Sequence, residues 1–230
     1  SGARRNMNLF SANSALKKIF DEHIAHISQK EELIPEAIEH ALNSGTMVLL
    51  GNPAHKNVRP IVVGQPSRVK VNANIGTSPF QNQPECERAK LDVAIAAGAD
   101  TVMDLSIAGD LDAIRRDMLE HCPVPLGTVP LYGVAQHYID RGADPADMDP
   151  ERVFAEVEKQ AEQGVDFMTL HCGITRRGAE WAAKGGRAMG IVWRGGSILA
   201  RWMLKNDREN PLLTGFDRLL EIARKYNVTL

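Results

Sequence analysis

Aromatic residues are scarce, at 5% of the chain. That leaves few flat side chains for a platform on which nucleic-acid bases could stack. Neither sign of charge is in excess: 27 Lys and Arg against 29 Asp and Glu give a formal net charge of -2. Nothing in that balance draws the chain toward nucleic acid or an anionic membrane. No apolar run approaches the ~20 residues that cross a bilayer, and the opening Ser-Gly-Ala-Arg-Arg-Asn-Met lacks a signal peptide's apolar region. Cysteine is limited to Cys86, Cys122 and Cys172, far apart and odd in number. Such usage suits reduced thiols in the cytoplasm better than a disulfide framework. No two of the three have the spacing of a zinc or iron–sulfur motif.

What is present is an ordinary core-forming composition, 43% hydrophobic and 24% charged over 230 residues. The first 68 residues read as a short helical and strand segment. Leu16, Phe20, Ile24 and Ile27 recur at helical steps, a second helix runs from about Glu32 to Leu42, and Thr46 to Leu50 reads as a strand. From residue 69 to 230 a period sets in. Apolar strand-like runs occupy Val69–Ile75, Thr101–Leu105, Leu126–Val129, Phe167–His171 and Gly190–Trp193, and another begins at Asn227. Helical stretches alternate with them, as in right-handed parallel βα units. Most runs lack polar alternation, as parallel strands covered on both faces should.

Polar groups recur at the carboxyl ends of these runs: Asn74, Asp104 to Ser106, Thr128 to Tyr132, His171 to Gly173, and Arg194-Gly195-Gly196. A (βα)₈ barrel gathers its site there, and a doubly wound sheet would do so around one crevice. Recurrence after each strand favours the barrel. Only five units and the start of a sixth can be counted, so the fold class expected is an α/β barrel of the TIM type, cut off mid-barrel or completed from elsewhere.

Single residues carry competing readings. Asn72 and Asn74 share a strand face, where two amides need partners. His171 is a core histidine, a ligand contact or an acid–base group, and Cys172 beside it faces the other way. Asp104 is a core carboxylate or an acid at the mouth, and Met103 reads as core. Tyr132 reads as a packing residue with a wet hydroxyl. Trp193-Arg194-Gly195-Gly196-Ser197 looks like an anion site, with a forked guanidinium beside backbone N–H groups at a helix start. His23, His26, His40, His55, His121 and His137 show no metal motif and read as surface.

Val71 to Ser78, Ala97 to Ser106, Pro123 to Tyr132, Glu162 to Gly173 and Arg194 to Ser197 together resemble the ThiC family of radical S-adenosylmethionine enzymes. The resemblance runs in order from about Glu36 to Leu230. It implies a (βα)₈ barrel, a homodimer, and the substrate 5-aminoimidazole ribotide. It implies substrate contacts at Asn74, Met103, Tyr132, His171, Trp193, Arg194 and Gly195. It also implies a [4Fe-4S] cluster, S-adenosylmethionine and a divalent metal, zinc or iron. The family's ligands for cluster and metal are not among these 230 residues, so the chain alone is not expected to turn over, and no catalytic acid or base is assigned.

Two branches share that substrate. One forms 5-hydroxybenzimidazole for cobamides, and the other forms the pyrimidine phosphate of thiamine. Trp193 stands where the thiamine enzymes usually carry serine, and a large ring cannot replace a small hydroxyl without reshaping the pocket. The large N-terminal domain of many thiamine-type members is missing, and Val62 to Val71 is closer to the benzimidazole-forming branch. The expectation is therefore 5-hydroxybenzimidazole synthesis, with the thiamine branch as alternative. Two other classes remain: a non-catalytic ribotide-binding module or partial subunit, and a barrel lyase without radical chemistry that uses His171 as base.

Overall fold

The chain divides into a helical N-terminal unit and a run of parallel βα units, seen in a computed structural model that describes residues 8–186 and 188–230. In the first unit, α1 (Leu9–Ala12) leads into α2 (Ser14–Glu31), whose first turn is capped by Asn13 accepting from the Leu16 N–H at 2.9 Å. The stripe Leu16, Phe20 and Ile27 is buried against α3 (Pro35–Ser44) and the antiparallel pair β1 (Met47–Leu50) and β2 (Ile61–Gly64). Pro35 opens α3, and Gly45, at φ 75°, closes it in the left-handed region.

The second unit runs β3 (Asn72–Ile75), α4 (Pro84–Ala96), β4 (Thr101–Asp104), α5 (Leu111–His121), β5 (Leu126–Thr128), α6 (Pro130–Ile139), α7 (Pro150–Gln163), β6 (Phe167–Met168), α8 (Arg176–Lys184), α9 (Arg194–Asn206), α10 (Pro211–Thr214) and α11 (Phe216–Tyr226). The sheet order is β3-β4-β5-β6, all parallel, with every neighbour consecutive in the chain. Thr229 continues the series as a parallel bridge to Phe167. Among the described residues the strands form an open parallel sheet with helices, and the closed barrel expected from sequence is not found.

One face of that sheet is packed. Ala73, Ile75, Val102 and Leu126 meet Leu91 of α4 and Ile114 and Met118 of α5. A second cluster joins α6, α7, α9 and α11 through Val157, Leu199, Met203 and Leu219, all at most 1% exposed. Each such side chain contributes about 1.5–3 kcal/mol. The other face carries Asn72 and Asn74, both exposed.

Two polar networks tie the units together. Glu31, at the end of α2, accepts from the Arg68 N–H at 3.0 Å and from Lys70 Nζ at 2.8 Å. Asp100, just before β4, takes the Arg68 guanidinium and the Val71 N–H. Burial opposes ionisation of Asp100, but these hydrogen bonds and the charges of Arg68 and Lys30 prevail and hold its carboxyl at about 2. The second network lies at the amino ends of β5 and β6. Asp166 faces His55 Nδ1 at 2.7 Å and accepts from the N–H groups of Asn52 and Leu126, each at 2.7 Å. His55 Nε2 donates to the Cys122 carbonyl at 2.9 Å, and Asn52 Nδ2 donates to the Ala161 and Val165 carbonyls.

Several expectations are corrected here. His55 is not on the surface; its side chain is fully buried in that network. Val69 to Val71 do not extend β3: Val69 and Val71 are exposed, and pairing begins at Asn72. Gly190–Trp193 is not a strand, because Gly190 sits at φ 57° and Trp193 is already the cap of α9. Helix α6 begins right after β5, where the sequence pattern marks no helix. Its mixed Leu131, Tyr132, Val134 and Tyr138 pattern is masked by Pro130, which stands at the first helical position, where its missing N–H costs nothing.

Candidate functional site at the carboxyl ends of the strands

Register places Asn74 beside Met103, Met103 beside Gly127, and Gly127 beside Phe167. This row crosses the open face of the sheet. Gly127 must lack a side chain there, because the ring of Phe167 fills the space a Cβ would take. Thr169 Oγ1 approaches Met103 Sδ at 3.9 Å on the same face. Met103 is thus half-buried beside the row and is not a core residue.

The two asparagines have different roles. Asn72 accepts from Thr101 Oγ1 and donates to Asn74 Oδ1, both at 2.8 Å. Asn74 Nδ2 donates to no group among the described residues. Asn72 therefore holds Asn74 with its amide N–H₂ directed to the open face. Asp104 lies on the opposite, helix-covered face. It is buried, accepts from the Ser106 N–H at 2.9 Å, and burial pushes its carboxyl upward. It is a buried loop anchor and not an acid at the mouth.

Beyond the row, one cluster assembles five of the expected residues. Tyr132 stands in the first turn of α6, and its ring stacks with His171 at 6.2 Å between centroids. Trp193 meets the same imidazole edge-on at 6.4 Å while staying 64% exposed. The Arg194 guanidinium lies over the Tyr132 ring at 5.2 Å. Gly195 presses its Cα against the His171 ring, so that any side chain at 195 would overlap the imidazole. Trp193 gives α9 no side-chain cap, so the first N–H groups of the helix, from Arg194, Gly195 and Gly196, are left without a side-chain partner at this end of the cluster.

His171 is the chemically unusual member. Both ring nitrogens are buried and neither has a hydrogen-bond partner among the described residues. Burial lowers its pKa, so the ring is neutral at pH 7. A neutral imidazole offers one N–H and one lone pair. Leaving both unused inside protein costs about 1–3 kcal/mol per group. Such a cost is common where a ligand supplies the missing partners.

The three cysteines do not fit an iron–sulfur cluster. Cys122 is buried in the core below β5, donates to the Val124 carbonyl, and burial pushes its thiol up to about 12. Burial also raises the thiol of Cys172 beside His171, and Cys86 lies at the start of α4. No group of three His, Cys, Asp or Glu side chains able to hold a metal occurs among the described residues. No helix among them is long and apolar enough to cross a membrane. Two surface grooves, about 550 and 630 Å³ in volume, include none of the residues of the cluster.

Comparison with known proteins identifies what this arrangement is similar to. The model of the radical SAM ThiC family matches residues 11–230. Phosphomethylpyrimidine synthase of Thermodesulfovibrio yellowstonii is 43% identical over 216 residues, covering 94% of this chain and 50% of the relative. The synthase of Desulforudis audaxviator is 47% identical over 204 residues, covering 89% and 47%. That of Methanopyrus kandleri is 43% identical, covering 93% and 50%. The chain spans about half the length of the curated relatives it matches. These names overturn the expectation of 5-hydroxybenzimidazole synthesis. Similarity to the pyrimidine-forming synthases covers 89–94% of the chain, whereas Trp193 and the Val62–Val71 segment are local features.

Proposed function

Because the chain belongs to the radical SAM ThiC family, we propose that it forms the substrate-holding part of a phosphomethylpyrimidine synthase whose substrate is 5-aminoimidazole ribotide. The observation that carries this reading is His171, a neutral imidazole with two buried, unpartnered nitrogens at the centre of a ring of aromatic and cationic groups. In this reading the ribotide phosphate meets Arg194 and the free N–H groups opening α9, where anions are favoured. The N–H and lone pair of His171 pair with polar groups of the ribotide. Asn74 and Met103 contact it from the open face of the sheet. Tyr132 and Trp193 close the site from the sides and exclude water.

The strand order fits a (βα)₈ barrel completed by further strands, with β3 and the Thr229 segment offering its two free edges. The radical chemistry of the family requires a cluster and S-adenosylmethionine. The side chains described here supply no cluster ligands, so their part is binding and orientation. The test is an anaerobic assay of the full-length protein with the ribotide, S-adenosylmethionine and a reductant. Hydroxymethylpyrimidine phosphate is the expected product. Another product, or no binding of the ribotide by calorimetry, would overturn the reading.

A further inference from the structure

We propose that Asn210 is a positioning residue for His171, acting through the strand-end loop that carries the imidazole. Asn210 is completely buried. Both hydrogens of its amide are committed, one to the His171 carbonyl and one to the Ile174 carbonyl, each at 2.9 Å. Its Oδ1 accepts from the Leu212 N–H at 3.0 Å and caps α10. The amide can take only this orientation, because the flipped one would set Oδ1 against two carbonyl oxygens. The neighbouring Glu209 accepts from the Arg176 N–H, at the start of α8, and from the Asn210 N–H, both at 2.8 Å.

The consequence follows from what His171 lacks. Among the described residues its ring makes no hydrogen bond that would fix it. Ring packing against Tyr132, Trp193 and Gly195 limits its rotation, but it cannot fix the backbone from which the ring projects. β6 ends at Met168, so the sheet does not extend to residue 171. Asn210 supplies the missing anchor, 39 residues away in the chain. It spans both ends of the 171–174 turn and thereby sets where the imidazole stands. A site held to within about half an ångström needs such a supporting shell.

The inference extends the ribotide reading of the same site, and its test separates the two. Full-length protein is labelled with ¹⁵N-histidine, and the His171 imidazole signal is assigned from its loss in His171→Gln. Asn210→Asp keeps the shape but turns two donors into lone pairs facing two carbonyls. Leu212→Ala is the control: it opens a cavity under the same helix and leaves the Asn210 amide bonds intact. The expected result is that the His171 ring signals move in Asn210→Asp and stay in place in Leu212→Ala, although both variants melt lower. Ribotide affinity is expected to fall at least tenfold in Asn210→Asp and less than twofold in Leu212→Ala. An unmoved His171 signal in Asn210→Asp overturns the proposal, as does an equal shift in both variants. A wild-type protein that ignores the ribotide while its His171 signal responds to Asn210→Asp overturns the function proposed above and leaves the positioning role standing.

Discussion

Each end of the parallel sheet carries a histidine whose ring nitrogens are buried, and the two are treated in opposite ways. At the amino ends of β5 and β6, His55 has both ring nitrogens engaged, one by Asp166 and one by the Cys122 carbonyl. At the carboxyl ends, His171 has neither engaged. Each end also has a buried asparagine whose amide bridges two backbone carbonyls, Asn52 below and Asn210 above. The scaffolding is therefore similar at both ends, and the difference lies in what it holds. Below, polar groups satisfy one another and stabilise the fold. Above, the His171 nitrogens have no partner among the described residues, as the proposed ligand site requires.

The largest test of this contrast removes a partner at the satisfied end. Asp166→Ala leaves His55, the Asn52 N–H and the Leu126 N–H unpaired inside protein. It should cost about 3–5 kcal/mol in chemical denaturation. Acid should next erode the network between the two units. Asp100 has a folded-state pKa of about 2, below its unfolded value, so its contribution is present above roughly pH 4 and is lost as pH falls through about 2. Between pH 5 and pH 2 this one carboxylate should account for about 2 kcal/mol of lost stability. Asp100→Asn should lack that part of the slope.

At the open end the sign reverses. His171→Leu removes two unsatisfied nitrogens and keeps most of the volume. Stability should hold or rise by about 1 kcal/mol, while ribotide affinity, read by calorimetry, drops at least tenfold. A fall in stability as large as that of Asp166→Ala would erase the distinction between the ends. The smallest effect concerns Arg194, whose guanidinium rests on Tyr132. Tyr132→Phe should leave inorganic phosphate binding within twofold, and Tyr132→Leu should weaken it by about 0.5–1 kcal/mol.

Much of the site was legible in sequence because its residues sit at the ends of periodic apolar runs. Asn74 and His171 lie at the ends of such runs and Tyr132 follows one, and the parallel order of β3 to β6 places those ends on one side; Arg194 follows a run that is not a strand. Their family resemblance pointed to the same positions. His55 was not legible: it lies in a Pro- and Asn-containing loop with no periodicity, and its partner Asp166 is 111 residues away. Asn210 escaped for a similar reason, since a capping asparagine before Pro211 looks like any helix start. The Gly190–Trp193 run has strand-forming residues, yet Gly190 at φ 57° and the uncapped start of α9 take precedence over that propensity. The branch was not legible from Trp193, the Val62–Val71 segment and the absent N-terminal domain, which are local features, whereas the similarity to the pyrimidine-forming synthases covers 89–94% of the chain.

The bond between Asn13 and Asn227, 2.9 Å long and spanning 214 residues, has a kinetic consequence. Successive strands of the sheet pair with near neighbours, so most contacts can form early and locally, whereas this one must wait for almost the entire chain. Asn227 also donates to the Gly51 carbonyl, so the late contact fastens the N-terminal helices to the last strand in one step. A contact absent from the folding transition state governs escape from the native basin and not entry into it. Asn13→Asp keeps an oxygen to cap α2 and loses the Nδ2 donor to Asn227, so it should leave the refolding rate unchanged and accelerate unfolding severalfold in stopped-flow traces.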